Sequence, residues 1–290
     1  MNNKFKGIFT ALLTPFDNND KINEKALEKI VKSNIEKGVS GFYVCGSTGE
    51  PFLMTADERK YVMDIVKSCA GNKTLIAHIG SLNEKEAYEL GKHANKLSYD
   101  MVSSVTPYYY KFSFSEIKNY YLRVADESGL PMLAYHIPAL SGVSLGVNDL
   151  ADFLGDSRFG GIKYTSNDYF TLEQIKTKFP DKIVYNGYDE TYLSGLSMGA
   201  DGAIGTTYNF MGDKFVKITK LFAEGNMDAA REVQRQANKI IAVLCKIGVI
   251  PATKEVLNQL GFDIGICRKP FGVLSNEDKE LIAKEIIPNL

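Results

Sequence analysis

Short apolar runs of strand length recur along this chain. Between them lie longer stretches in which apolar residues return every three or four positions. The runs fall at residues 7–13, 41–45, 74–79, 101–105, 132–137, 161–164, 183–186 and 202–204. The helical stretches are clearest at 23–37, 55–70, 83–97 and 115–127. Thr55 followed by Glu58 has capping-box spacing, and Gly38 stands where a helix would stop. Strand runs that alternate with helices predict parallel strands joined by crossovers, and eight is the number that closes a barrel. The expected fold is therefore α/β, a (β/α)8 TIM barrel. An open doubly wound sheet is the competing arrangement, but no GxGxxG follows the first run.

After Asn209 the strand signal ends. Helical patterns at 213–224, 227–247, 253–260 and 276–287 leave about three helices beyond what a barrel requires. No Pro-rich or Ser-rich linker sets them apart. One domain over residues 1–290 is expected, with a barrel core of roughly 1–208 and C-terminal helices over 209–290 packed on it.

Composition narrows the function. The 290 residues carry 34 basic and 35 acidic side chains, a net charge of −1. That balance gives no field to attract nucleic acid or an anionic membrane, so a small-molecule partner is expected. Lys4 and Lys6 precede a short apolar run, but Thr14-Pro15 breaks it and no cleavage site follows. No stretch approaches the ~20 apolar residues that cross a bilayer. A soluble, cytoplasmic protein is expected. The four cysteines and three histidines are scattered without metal-ligand spacing, so neither a metal nor an organic cofactor is expected.

The chemistry sits at the ends of the strand runs. Lys163 lies in Gly160-Gly161-Ile162-Lys163-Tyr164-Thr165-Ser166, which otherwise resembles a buried strand. Burial is one way a lysine becomes nucleophilic. Tyr135 ends the preceding run, so an amine and a phenol on adjacent strand ends point to carbonyl chemistry through a Schiff base. Gly46-Ser47-Thr48-Gly49-Glu50 follows the second run, Tyr108-Tyr109-Tyr110 the fourth, Gly187-Tyr188-Asp189-Glu190 the seventh and Gly205-Thr206-Thr207 the eighth. In a barrel these loops share one mouth, where active sites lie. The Gly46–Glu50 loop, with two hydroxyls and free backbone N–H groups, suits a carboxylate.

Each residue alone has a plainer meaning. Lys163 is equally a strand-end lysine reaching for solvent. Tyr135 is more often a core aromatic, and Asp189 and Glu190 are favoured in a first helical turn anyway. Thr206 says little by itself. His136 faces away from Tyr135 by strand alternation and is expected to be structural. Arg268-Lys269 is expected to be a solvated or interface pair. Convergence on one mouth carries more weight than any single motif.

Together these residues resemble the N-acetylneuraminate lyase and dihydrodipicolinate synthase superfamily of Schiff-base aldolases. The likeness runs from Ala11-Leu12-Leu13-Thr14-Pro15-Phe16 to Cys267-Arg268-Lys269-Pro270-Phe271-Gly272. It includes the Gly46–Glu50 loop, Val105-Thr106-Pro107-Tyr108-Tyr109 and Gly161-Ile162-Lys163 with Thr165. Ile137-Pro138-Ala139-Leu140-Ser141-Gly142 and Tyr185-Asn186-Gly187-Tyr188-Asp189-Glu190 resemble its N-acetylneuraminate lyase branch. The synthase branch has an arginine where Leu140 stands, and an aliphatic chain cannot supply that fork of donors.

The resemblance implies a homotetramer that cleaves N-acetylneuraminate, a sialic acid, reversibly to N-acetylmannosamine and pyruvate. It implies Lys163 as the Schiff-base lysine and Tyr135 as the proton relay. Ser47 and Thr48 would bind the carboxylate, and Thr165, Gly187, Asp189, Glu190 and Thr206 would line the sugar-chain site. Many lyases have serine at the Thr206 position. Tyr110 resembles the residue that supports Tyr135 and Ser47 across a subunit interface. Two alternatives stay open: an aldolase for a shorter 2-keto-3-deoxy sugar acid, and a sugar-acid-binding barrel without catalysis.

Overall fold

The computed structural model describes residues 3–290. Eight parallel strands close into a barrel in chain order: β1 (Gly7–Ala11), β2 (Gly41–Val44), β3 (Thr74–His78), β4 (Met101–Val105), β5 (Met132–His136), β6 (Phe159–Tyr164), β7 (Ile183–Asn186) and β8 (Gly202–Gly205). The last strand pairs back onto the first, Ile204 opposite Phe9. The open-sheet alternative is thereby excluded. Several predicted runs overshoot at their carboxyl ends, because Leu12, Cys45, Ile79 and Ile137 are apolar and buried yet already belong to the loops.

Side chains alternate across each strand. Phe9, Tyr43, Ile76, Leu133, Tyr185 and Ile204 fill the barrel interior. Their neighbours Ile8, Phe42, Leu75, Ala134, Val184 and Ala203 join the larger core under the helices. The four helices legible from periodicity form at Glu24–Glu36, Ala56–Cys69, Glu84–Lys96 and Phe114–Ser128. The Thr55–Glu58 capping box is present, and a second at Ser113 and Glu116 starts Phe114–Ser128. Gly38, at φ 82°, follows the first of these helices, as its conformational freedom allows. Pro138–Ser141, Val147–Gly155, Tyr169–Lys178 and Tyr192–Ser197 are also helical. These are shorter, and short helices carry little periodic signal.

Tyr208–Ala223 completes the outer ring, beginning five residues before the predicted 213. Met227–Ile247, Val249–Gln259 and Asn276–Glu285 are the extra C-terminal helices. Arg268 departs from expectation. Its side chain is 9% exposed, pairs with Glu58 at 2.6 Å and Asp20 at 2.8 Å, and donates to Leu53 O at 3.0 Å. The segment before the last helix lies back on the loop after β2, so Arg268 is a clamp rather than a solvated charge, while Lys269 is exposed. Among the described residues no helix is long and apolar enough to cross a membrane.

The β1–β8 seam is closed by Asn209. Its Oδ1 accepts from Leu13 N at 3.1 Å, and its Nδ2 donates to Ala11 O at 2.7 Å and Thr206 O at 2.8 Å. All three partners lie at the site end of the barrel. Asn209→Ala strands Leu13 N and Ala11 O in a buried place, at roughly 1–3 kcal/mol for each, while Thr206 O still accepts from the backbone N–H of residue 209 at 3.3 Å. Urea denaturation should show about 2 kcal/mol lost or more; a loss under about 1 kcal/mol would show that the seam holds without the amide.

Candidate active site

Lys163 stands one residue from the carboxyl end of β6, in register with Tyr135 on β5 and Tyr185 on β7. It is 4% exposed, at the floor of a cavity of about 300 Å³. Its Nζ lies 4.1 Å from the Tyr135 ring centre and 4.7 Å from that of Tyr43. Among the described residues no carboxylate comes within ion-pairing distance of that amine, although buried pairs occur elsewhere, as at Lys254 and Glu50. The amine is buried against two ring faces and lines the cavity, open to a ligand.

The cavity is walled by Ser47, Thr48, Tyr135, Thr165, Gly187, Asp189, Glu190 and Thr206 around Lys163. Nine of the ten predicted site residues are thus brought together. Tyr110 is not among them. It is 63% exposed, stacked edge-on against Tyr109 at 5.0 Å and Phe112 at 6.0 Å, and does not line its own chain's cavity. A second, more apolar cavity of about 360 Å³ adjoins the first and shares Ser47, Ile137, Leu140 and Ile250. Lys163 lines only the first, so the chemistry belongs there.

Ser47–Gly49 forms a single tight turn, closed by Gly49 N donating to Gly46 O at 2.8 Å. Thr48 and Thr206 share a hydroxyl hydrogen bond of 2.7 Å that ties this turn to the loop after β8. The Thr165 hydroxyl is buried without a protein partner, so a donor or acceptor on a ligand would satisfy it. Gly187 makes room for it, since a Cβ there would stand 1.8 Å from Thr165 Oγ1.

Asp189 is more occupied than its sequence position indicates. Its Oδ2 accepts from Thr207 N at 2.9 Å and Thr207 Oγ1 at 2.7 Å, and the residue is 7% exposed. Burial pushes its carboxyl up to about 6, against the opposing Thr207 hydrogen bonds; Glu190 adds to the rise and Lys163 reduces it. Glu190 is half-buried and lines the cavity. Leu140 is 71% exposed on the rim, leaving no guanidinium at that position.

Sequence reasoning missed two groups. Tyr43 and His78 form aromatic walls behind Tyr135, with ring centres 6.1 and 6.3 Å from it. Burial holds the imidazole of His78 well below its usual pKa, with Arg59 and Lys163 acting in the same direction. The helix Met227–Ile247 supplies the second group. Gln234 donates to Asp189 O at 3.1 Å, Asn238 donates to Glu190 O at 2.9 Å, and Ile241 and Cys245 line the cavity. Positions 234, 238, 241 and 245 follow a helical stripe in the sequence, which is the signal that could have found them. His136, as its alternation indicated, turns outward and stacks on Tyr164 at 5.2 Å.

Fold and site together define a (β/α)8 barrel with an unpaired lysine at the base of a polar cavity. The chain belongs to the dihydrodipicolinate synthetase family, whose model matches residues 4–287. It is 43% identical over 289 residues to an N-acetylneuraminate lyase of Rhizobium meliloti (strain 1021), covering 99% of this chain and 96% of that one. CdNal from Clostridium difficile, solved in complex with mannosamine, superposes with a TM-score of 0.95 at 37% identity, over 98% of this chain and 99% of that one. The N-acetylneuraminate lyase of Fusobacterium nucleatum complexed with pyruvate gives 0.92 at 38% identity, over 98% of each chain.

The Asp189 carboxyl yields a pH prediction. Folding raises its pKa from 3.8 to about 6, so the folded chain holds this proton more tightly than the unfolded one. Its contribution is most favourable below pH ~4 and is lost as pH rises to about 6. Asp189→Asn carries no such dependence. Its stability relative to the unsubstituted chain should therefore rise between pH 4 and 7, by something on the order of 3 kcal/mol. Parallel pH–stability curves would refute a protonatable Asp189.

Proposed function

We propose that this protein is a Schiff-base aldolase that cleaves N-acetylneuraminate reversibly to N-acetylmannosamine and pyruvate. The observation that carries the reading is the unpaired Lys163 amine beside the Tyr135 ring, at the base of a cavity walled by hydroxyls and carboxylates. The relatives named above, solved with mannosamine and with pyruvate, support the same two halves of a substrate.

In this account the open-chain keto acid places its carboxylate on the Ser47–Thr48 turn. The neutral amine of Lys163 attacks the C2 ketone, water leaves, and an iminium forms. Its positive nitrogen accepts the electron pair released as the C3–C4 bond breaks. The C4 hydroxyl loses its proton as it becomes the aldehyde of N-acetylmannosamine, and Tyr135 relays that proton. The remaining enamine is protonated at C3 and hydrolysed to pyruvate and free Lys163. Glu190 and the Thr165 hydroxyl meet the hydroxyls of the sugar chain. Asp189 acts mainly by holding Thr207 and so the Thr206 loop. Leu140 in place of a cation favours a neutral polyol over a second carboxylate there.

A homotetramer completes the proposal. Tyr109, Tyr110 and Phe112 form an exposed aromatic cluster too large to be left in water without cost. A neighbouring copy would cover it and bring Tyr110 to a partner's Tyr135. Four unbonded thiols suit a reducing cytoplasm, where we place the protein.

Purified protein should release pyruvate from N-acetylneuraminate, and Lys163→Ala should release none. Tyr135→Phe should retain imine formation but lose roughly 10²–10⁴-fold in cleavage, the usual worth of general acid–base help. Cleavage of 2-keto-3-deoxygluconate in preference to N-acetylneuraminate would assign the shorter-chain aldolase instead. An unchanged Tyr135→Phe rate would remove the phenol from the mechanism.

A further inference from the structure

Glu50 combines two costly features within three residues of Ser47. Its backbone is left-handed at φ 58° and ψ 43°, a conformation that disfavours a side chain. Its carboxylate is wholly buried and pairs with the equally buried Lys254 at 2.7 Å. Buried pairs add little stability over apolar packing, and strained backbone persists where surrounding structure enforces it, often at functional sites.

The contacts show what is being held. Glu50 N donates to Ser47 O at 3.2 Å, closing the turn that carries Ser47 and Thr48. Its Oε2 accepts from Arg268 N at 2.8 Å. Lys254, on the helix Val249–Gln259, donates also to Ile266 O at 3.0 Å. The Phe16 ring lies beneath both cations, 4.5 Å from Lys254 Nζ and 4.2 Å from Arg268 Cζ. Burial lowers the Lys254 pKa, and Glu50 opposes that shift, as expected of a charge that depends on its partner. Neither residue has a place in the reaction steps above.

We propose that Glu50 and Lys254 are positioning residues: their buried pair clamps the Ser47–Thr48 turn to the C-terminal helices and sets its affinity for the keto-acid carboxylate. This rests on the aldolase reading, in which that turn binds the carboxylate. The pair touches no reacting atom, so its loss should weaken keto-acid binding while leaving the chemistry on Lys163 intact. It also gives the C-terminal extension a role in binding pyruvate, separate from the Gln234 and Asn238 contacts to the loop after β7.

The test measures the pyruvate concentration that half-saturates borohydride trapping, by intact-protein mass, in the full-length chain and in Glu50→Gln, Lys254→Met and the double variant. Each single variant should need roughly tenfold more pyruvate, because removing one partner leaves the other's charge buried and unpaired, and should reach the same trapped fraction at saturation. The double variant, with no charge left unpaired, should lie closer to the unsubstituted chain than either single variant does. An unchanged half-saturation in Glu50→Gln, even with a lowered melting temperature, would overturn the proposal, as would shifts that simply multiply in the double variant. If Lys254→Met does not fold, the isosteric Glu50→Gln decides alone. Absence of any adduct in the unsubstituted chain would overturn the aldolase reading itself, and this inference with it.

Discussion

A lysine that forms imines must be reachable by a ketone yet kept from the nearest carboxylate, because an ion pair would hold its nitrogen protonated and occupied. The barrel meets this constraint at Lys163 with ring faces. Tyr135 and Tyr43 flank the amine, and His78, held neutral by burial, backs them. Rings fill space and exclude water while contributing no fixed negative charge. The nearby acids are handled separately: Asp189 is occupied by Thr207, and Glu190 lines the same cavity without pairing to the amine. Parallel strand register does the rest, since Tyr135 opposite Lys163 fixes the phenol beside the amine without any loop.

The loops around that floor are tied together rather than left free. Thr48 bonds to Thr206, Asp189 holds Thr207, and Asn209 fastens the loop after β8 to β1. The C-terminal helices meet two of the site's loops, the one after β7 through Gln234 and Asn238 and the one after β2 through Lys254. A site built from five different loops needs such cross-ties, because an error of about 1 Å in position costs orders of magnitude in rate.

Much of this arrangement is legible in the amino-acid sequence. Lys163 and Tyr135 were visible because each is a polar residue at the end of an apolar run, and alternation placed His136 on the other face. Barrel closure followed from counting runs, and the rim loops followed from barrel geometry. What stayed hidden depended on packing between distant segments. Tyr43 lies within Gly41–Val44 and resembles any core aromatic; that its ring also forms the floor under Lys163 is a tertiary fact. Asp189 was legible as a site acid, but not that Thr207 occupies one of its oxygens. Arg268 resembled a solvated charge because its partners Glu58 and Asp20 lie more than two hundred residues away in sequence. Glu50 was visible in the loop motif, and its partner Lys254 was one lysine among many.

The mechanism depends on which nitrogen condenses with a 2-oxo acid. Incubation with pyruvate and borohydride, followed by proteolysis and peptide mass spectrometry, identifies it directly. One stable adduct is expected, on the peptide containing Lys163 and on that side chain. An adduct on another lysine, or none at saturating pyruvate with folded protein, would contradict it.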